Sequence, residues 1–198
     1  MNFRNIDGDF GRSGYDQPLN NTTSFVWELP VGQGRKYGSG MNAVMDGVFG
    51  GWRVVGINTM TSGVPVNLTY TPVTAASVSG LATYRPNLNG DPRTPDGGIG
   101  NYLNPATVEL PTDRSMPFGN APRNAARAMP FYQMDLGLHK SFGLGATERR
   151  IEARLEAFNL LNRTNFGSPN GNRSSVAFGT IRSAFVARQL QLGVKVYF

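Results

Sequence analysis

Hydrophobic and polar residues alternate strictly in three segments of the C-terminal third of the chain. These segments read YQMDLGLHK at 132–140, RRIEARLEAFN at 149–159 and RQLQLGVKVYF at 188–198. A repeat of two residues places apolar side chains on one face of a β-strand and polar side chains on the other. We therefore predict three amphipathic strands, each of about 10 residues, which is the length that a tilted strand needs to cross a bilayer.

Each of these strands has a polar face that carries charged side chains. We expect this polar ladder to face a wet barrel lumen, and its members are Asp135, His139, Arg150, Glu152, Arg154, Glu156 and Lys195. The apolar face of the last strand ends on an aromatic residue, a pattern that we interpret as the assembly signal of a transmembrane barrel. The residues of this predicted signal are Leu190, Leu192, Val194, Val196 and Phe198.

Two β-rich segments precede these three strands. TTSFVWELP at 22–30 predicts a strand ended by its final proline, which cannot donate to a ladder. WRVVGINTMTSGVPVNL at 52–68 predicts a longer strand with a bulge or kink near 62–65. Its facing is undetermined because apolar residues occur at both parities. Between the two, MNAVMDGVF at 41–49 favours one or two turns of helix.

The connections between the predicted strands alternate in length. Those over 31–50 and 143–147 are short, whereas those over 70–129 and 162–180 are long. Transmembrane barrels sort their connections in this way, with short periplasmic turns and long extracellular loops. We therefore predict an all-β fold, an antiparallel transmembrane β-barrel segment of about five strands that is an incomplete barrel with long external loops. Phe198 then lies at the periplasmic rim.

The turn between the third and fourth strands predicts their register. A turn centred between Leu144 and Gly145 places polar residues opposite polar ones and apolar opposite apolar, and a slip of one residue would mix the faces. The predicted pairs are Asp135 with Arg154, His139 with Arg150, Gln133 with Glu156, Met134 with Leu155, Leu136 with Ala153 and Leu138 with Ile151. If the last long connection folds back symmetrically, Lys195 lies opposite Glu152.

Composition agrees with short strands joined by irregular connections, since 25 glycines and 13 prolines accompany only 16% charged residues. The absence of cysteine excludes disulfides, CxxC redox motifs and thiolate metal sites. The net charge of +6 is spread singly along the chain, so we expect no nucleic-acid partner. Residues 1–14 lack the apolar core of a signal peptide. We expect the sequence to be a processed piece, or one that lacks the front of its gene.

Residues that suggest catalysis or metal binding have a simpler interpretation as barrel wall. His139 is the single histidine, and no HxH or HExxH spacing is present. Asp135, Glu152 and Glu156 suggest a glycosidase carboxylate set, but alternation with arginines favours a charge-neutralised wall. The glycines of VGQGRKYGSG at 31–40 do not complete a GxGxxG phosphate cradle. We therefore predict no enzyme activity, no catalytic residue, no metal site and no cofactor.

Several aromatic residues are candidates for the girdles that mark the membrane interfaces of a barrel. They are Trp27, Trp52, Tyr132, Phe142, Tyr197 and Phe198. Ordinary core aromatics are the alternative interpretation.

Two long runs of the chain closely resemble a known family. FGNAPRNAARAMPFYQMDLGLHKSFGL (118–144) and IEARLEAFNLLNRTNFGSPN (151–170) are similar to the end of TonB-dependent outer-membrane receptors of the Oar-like group. Further similar segments lie in the same order at 27–38, 50–68 and 84–93. The resemblance covers nearly the whole chain.

This resemblance implies that residues 1–198 are the C-terminal part of a TonB-dependent receptor β-barrel, without the plug domain and the N-terminal strands. Such receptors have about 22 strands and import a bulky ligand with energy from the inner-membrane proton gradient. The implied partners are outer-membrane lipid, the remaining strands and plug, the barrel-assembly machinery, and the TonB complex only through the missing N-terminal part. The implied location is the outer membrane of a Gram-negative-type cell.

Two other interpretations stay open on the residues alone. The first is a stand-alone outer-membrane structural or adhesive β-protein that oligomerises to close a barrel. The second is a soluble β-sandwich binding module, because sandwich strands also alternate apolar and polar residues. Crosslinking in detergent identifies the first, and partition into the aqueous phase identifies the second.

Overall fold

The computed structural model describes residues 6–72, 84–112, 117–145 and 149–198. The chain divides into two compact units. The sheet unit consists of Asn20–Met60, Tyr132–Thr164 and Val186–Phe198, and the loop unit consists of Met1–Leu19, Thr61–Phe131 and Asn165–Phe185.

Most regular elements of the described residues are strands. In chain order the elements are a 3-10 helix (Asp7–Asp9), β1 (Asn20–Glu28), α1 (Ala43–Phe49), β2 (Trp52–Thr61), β3 (Pro65–Val66), β4 (Asn87–Leu88), β5 (Val108–Glu109), β6 (Ala126–Arg127), β7 (Phe131–Gly143), β8 (Arg150–Phe158) and β9 (Gln189–Tyr197). The five long strands form one sheet in the order β1-β2-β7-β8-β9, and β8 pairs with both of its neighbours antiparallel. The predicted strand count for the barrel segment is therefore confirmed.

The connection between β1 and β2 contains the predicted helix. The Asn42 side chain caps α1 by accepting a hydrogen bond of 2.9 Å from the backbone N–H of Met45. Asparagine at this position satisfies one of the N–H groups that the first helical turn leaves without a partner. The helix ends at Phe49, before two glycines, of which Gly51 has a φ of +67°.

The long second β-rich run ends where a kink was predicted. β2 stops at Thr61, and Pro65 begins the separate strand β3, which pairs with β6. Between them, a Cβ atom placed on Gly63 would lie 1.8 Å from the carbonyl oxygen of Ala128. Only glycine allows the two backbones to approach this closely.

The predicted register between β7 and β8 is wrong. His139, and not Asp135, lies opposite Arg154, and the six predicted pairs are all replaced. The observed pairs are Leu136 with Ala157, Gly137 with Glu156, Leu138 with Leu155, His139 with Arg154, Lys140 with Ala153, Ser141 with Glu152, Phe142 with Ile151 and Gly143 with Arg150. β7 continues to Gly143, and the N–H of Leu144 donates to the Arg149 carbonyl at 2.9 Å. The hairpin therefore closes later than its glycines suggest.

The register between β8 and β9 agrees with the prediction. Lys195 lies opposite Glu152, and on the other face Leu192 lies opposite Leu155. The observed β7 to β8 register differs from the predicted one by an even number of residues, so the polar face of one strand still lies opposite the polar face of the other, and the apolar face opposite the apolar face.

The loop unit has its own hydrophobic core. Its buried members are Val66, Leu68, Leu103, Val108, Ala126 and Ala128, with Leu88, Tyr102, Ala125 and Phe178 packed against them. Leu68 and Val108 are fully buried, and Leu103 is 1% exposed. Arg173 binds this region to the last long connection, since its Nε donates to the Val108 carbonyl at 2.8 Å.

Polar contacts attach the N-terminal segment within the loop unit. Asp9 pairs with Arg85, and Asp16 pairs with Arg127. The Tyr70 hydroxyl is also buried here and donates to the Pro117 carbonyl at 2.7 Å. Burial raises the pKa of the Tyr70 phenol, and the nearby Tyr84 adds to this effect. The described parts of the long connections therefore form a packed structure.

Candidate functional site

The sheet unit distributes polar and apolar residues in the opposite way to a protein in water. Glu152 is 2% exposed and His139 is 8% exposed, whereas Leu192 is 82% and Val194 is 74% exposed. Soluble proteins bury leucine and valine and leave glutamate at the surface. A sheet with this distribution has one face suited to lipid and one face that gathers charge.

The apolar face of the sheet is formed by side chains paired across the strands. Leu155 lies opposite Leu192, Ala153 opposite Val194 and Ile151 opposite Val196. The five residues predicted as an assembly signal are all at least half exposed, and they are Leu190, Leu192, Val194, Val196 and Phe198. Their role as a signal stays a prediction.

The opposite face holds a polar cluster centred on Glu152. One carboxylate oxygen, Oε2, accepts a hydrogen bond of 3.0 Å from Arg53, and Oε1 accepts one of 2.5 Å from Nε of Arg154. His139 lies between two carboxylates, with Nδ1 3.9 Å from Glu152 and Nε2 3.5 Å from Glu156. The same Nδ1 is 3.2 Å from the Arg53 guanidinium. Two arginines and two glutamates therefore balance each other around one histidine.

Four of the seven predicted ladder residues meet in this cluster, and three lie elsewhere on the same face. Asp135 accepts hydrogen bonds from the N–H of Asn159 and from Gln133, both at 2.8 Å. The side chains of Arg150 and Lys195 lie over the ring of Tyr197, at 3.8 and 4.7 Å from its centroid. The ladder is thus a cluster with two flanking groups.

Sequence reasoning missed Arg53, because the facing of its strand was undetermined. The structure resolves that facing. Arg53 contacts Glu152 on the polar face, and Trp52, its neighbour in β2, lies beside Lys140. The sequence signal for the role of Arg53 is its place next to Trp52 at the start of a β-rich run, where adjacent residues point to opposite faces.

Lys140 is the second residue that the sequence pattern did not identify. It follows Leu138 on the apolar face by the alternation of β7, yet it is only 4% exposed. Its ammonium lies 5.4 Å from the ring of Trp52 and 5.2 Å from that of Phe142. The ammonium also donates to the carbonyl oxygens of Gly50 and, at 3.4 Å, Asp46.

The geometry of the cluster is suited to binding and positioning. In the described ranges, no group of three histidine, aspartate or glutamate side chains is arranged to hold a metal ion. The cluster consists of charge-assisted hydrogen bonds, which are short and orient their partners strongly. Such an arrangement holds neighbouring strands in one register and presents fixed charges to whatever fills the space beside them.

Comparison with known proteins gives one match. A family model described as an outer membrane beta barrel domain matches residues 1–191. No curated protein and no solved structure matches the chain. Among the described residues, no helix combines the length and the apolar character needed to span a membrane.

Proposed function

The chain belongs to the outer membrane β-barrel domain family, and we propose that it forms the C-terminal strands of a TonB-dependent transporter. In this proposal it takes part in energy-coupled uptake of a bulky ligand across the outer membrane in which it resides. It has no enzyme activity of its own and needs no cofactor. Its partners are lipid, the remaining strands and plug of a longer receptor, and the assembly machinery that inserts the barrel.

The inverted polarity of the sheet carries this proposal. Exposed leucines and valines on one face suit acyl chains, and the buried charges around Glu152 suit a water-filled lumen. We therefore assign the apolar face to lipid and the polar face to the lumen. An arginine on a lipid-facing surface would cost about 2–4 kcal/mol near the bilayer centre, which supports this assignment over the reverse one.

The sheet order supports a larger barrel. Within the described residues, β1 and β9 are the two edges of a five-stranded sheet. An open edge in lipid leaves backbone N–H and C=O groups without partners, at a cost of several kcal/mol for each group. Membrane barrels of a single chain use at least about eight strands. Further strands that pair with β1 and β9 are therefore required, as the resemblance to TonB-dependent receptors implies.

The loop unit suggests where a ligand would be met. It draws on the two long connections that are expected outside the cell, and its core holds their described parts in defined positions. A packed external structure presents a constant surface, which favours selective contact with a bulky solute. The resemblance to receptors of the Oar-like group supports transport over a purely structural role.

The size of the native polypeptide tests the proposal. An antibody raised against residues 1–198, applied to outer-membrane fractions of the source bacterium, should detect a chain several times larger than 21.5 kDa. That chain should bind the periplasmic domain of TonB in a pull-down, whereas residues 1–198 alone should not. A band at 21.5 kDa that migrates as an oligomer before heating would favour the stand-alone barrel protein. A band in the aqueous fraction would favour the soluble sandwich.

A further inference from the structure

The helix α1, in the connection between β1 and β2, exposes an apolar surface that the fold does not cover. Its exposed fractions are 77% for Val44, 46% for Met45, 56% for Val48 and 54% for Phe49. These residues are neighbours at spacings of one, three and four, so they form a continuous stripe along a helix of two turns. In water such a stripe would be unfavourable.

The other side of α1 is polar and is bound to its own connection. Asp46 accepts a hydrogen bond of 2.6 Å from the N–H of Gln33 through Oδ1. Asn42 caps the first turn. The helix is therefore amphipathic, with one face attached to the connection and the other face free.

Two side chains attach the C-terminal end of α1 to the apolar face of the sheet. The indole Nε1 of Trp52 donates to the Val48 carbonyl at 2.8 Å. The buried ammonium of Lys140 donates to the carbonyls of Asp46 and Gly50. The carbonyls of Val48 and Gly50 belong to the helix end, where such groups are normally left to water, whereas the Asp46 carbonyl also accepts the N–H of Gly50 at 2.8 Å.

The hydrogen bonds to these backbone carbonyls favour a lipid environment for α1. In water, solvent molecules donate hydrogen bonds to the carbonyls of the last helical turn. In lipid no such donor is present, and each unpaired carbonyl costs several kcal/mol. The residues that donate to the carbonyls of α1 are Trp52 and Lys140, and the Lys140 ammonium lies beside the rings of Trp52 and Phe142. Tryptophan and long cationic side chains are the groups that collect at membrane interfaces.

We propose that α1 is an interfacial helix that lies in the periplasmic leaflet of the outer membrane, with lipid as the partner of Val44, Met45, Val48 and Phe49. Its apolar stripe continues the lipid-facing side of the sheet, to which Lys140 and Trp52 connect it. An interfacial helix buries its apolar face about 5–10 Å below the headgroups. The inference rests on the assignment of the apolar sheet face to lipid made above.

Site-specific labels in the outer membrane test this inference. Residues 1–198 contain no cysteine, so a single introduced cysteine accepts an environment-sensitive fluorophore in the native polypeptide, any cysteine outside these residues being replaced by serine. The three variants are Val48→Cys on α1, Leu192→Cys on β9 and Arg35→Cys in the polar part of the same connection. Each labelled protein, purified from outer membranes, is reconstituted in phosphatidylcholine vesicles and exposed to lipid-borne nitroxides or to aqueous iodide.

The expected pattern separates the helix from the sheet. Nitroxide near the headgroup should remove most of the fluorescence at Val48, and nitroxide near the chain end should remove less. The label at Leu192 should also be quenched from lipid, and the label at Arg35 only by iodide. Quenching of Val48 by iodide alone, with Leu192 quenched from lipid, would overturn the interfacial helix and leave the barrel assignment intact.

Two other outcomes are also decisive. A label at Val48 that neither quencher reaches would mean that protein covers the stripe, which contradicts the proposal. A label at Leu192 that lipid quenchers do not reach would overturn the assignment of the apolar face itself, and the helix proposal with it. A further variant, Lys140→Met, should reduce lipid quenching at Val48 because the C-terminal turn loses its attachment, whereas Lys36→Met, at an exposed lysine of the same connection, should not.

Discussion

The carboxylate of Glu152 accepts a hydrogen bond of 3.0 Å from Arg53, a residue 99 positions away in the chain. Arg53 is on β2 and Glu152 is on β8, so this contact reaches across β7, which lies between them in the sheet. The pair is asymmetric in its surroundings, with side-chain exposures of 36% for Arg53 and 3% for Glu152. The carboxylate of Glu152 therefore has little access to water, and its hydrogen bonds to protein groups replace those that water would supply.

Replacing that carboxylate should weaken the sheet. Glu152→Gln leaves Arg53 and Arg154 without their charged acceptor, and we expect a loss of about 1–3 kcal/mol in the free energy of unfolding. Urea titration of the outer-membrane protein, followed by the mobility shift between folded and unfolded bands, measures it. Glu28→Gln is the matched control, since its pair with Arg35 is exposed, and we expect a change within about 0.5 kcal/mol. Equal effects of the two variants would contradict the buried role of Glu152.

The two faces of β9 should respond differently to an added charge. Leu192→Lys places an ammonium on the face assigned to lipid, at a cost of about 2–4 kcal/mol near the bilayer centre. Gln191→Lys places the same group on the polar face, opposite Glu156. We expect strongly reduced amounts of folded protein in the outer membrane for the first variant and near-normal amounts for the second. A reversed order would show that the faces are assigned wrongly.

Disulfide formation can measure the register of the β7 to β8 hairpin. The double variant Leu138→Cys and Leu155→Cys joins directly opposite positions, whose Cα atoms lie within the range that a disulfide bridges. Met134→Cys with Leu155→Cys tests the register expected from the turn sequence, and these positions are offset by four residues, or about 14 Å at about 3.4 Å per residue. Mild oxidation should therefore crosslink the first pair and not the second. Crosslinking of the second pair alone would restore the earlier register.

The core of the loop unit should be sensitive to truncation. Leu68 is fully buried, and Leu68→Ala is expected to destabilise this unit by about 2–5 kcal/mol. Hydrogen exchange of backbone amides in residues 84–112 should then become faster, while the strands of the sheet unit keep their protection. Leu110→Ala, at a position 43% exposed, serves as the control and should leave the exchange rates nearly unchanged. Unchanged exchange in the Leu68 variant would mean that the core does not hold the loops.

Strand faces were predictable because a period of two needs no knowledge of the rest of the chain. The pairing of Glu152 with Lys195 followed from the same alternation together with a symmetric connection. The register of the β7 to β8 hairpin could not be predicted in this way. The glycines at 143 and 145 suggested a tighter turn than the one that closes between Leu144 and Arg149. An even error in register leaves every residue on its face, so the alternation could not reveal it.

The remaining features depend on contacts between distant segments, which have no period. Arg53 joins the polar cluster only because β2 neighbours β7 in the sheet. Lys140 contradicts the apolar pattern of its strand and is explained only by the carbonyls of Asp46 and Gly50. The core of the loop unit consists of irregular segments and two-residue strands, for which sequence patterns carry little information.

The composition of that core has a consequence for the order of events during biogenesis. Leu68 and Leu103 come from the connection before β7, but Phe178, which packs against the same core, comes from the connection after β8. Loop closure over such separations cannot precede delivery of the later segment. The core of the loop unit is therefore complete only after β7 and β8, which lie between these connections in the chain, have been synthesised. A chain that stops between β8 and Phe178 would lack one of the side chains that pack against this core.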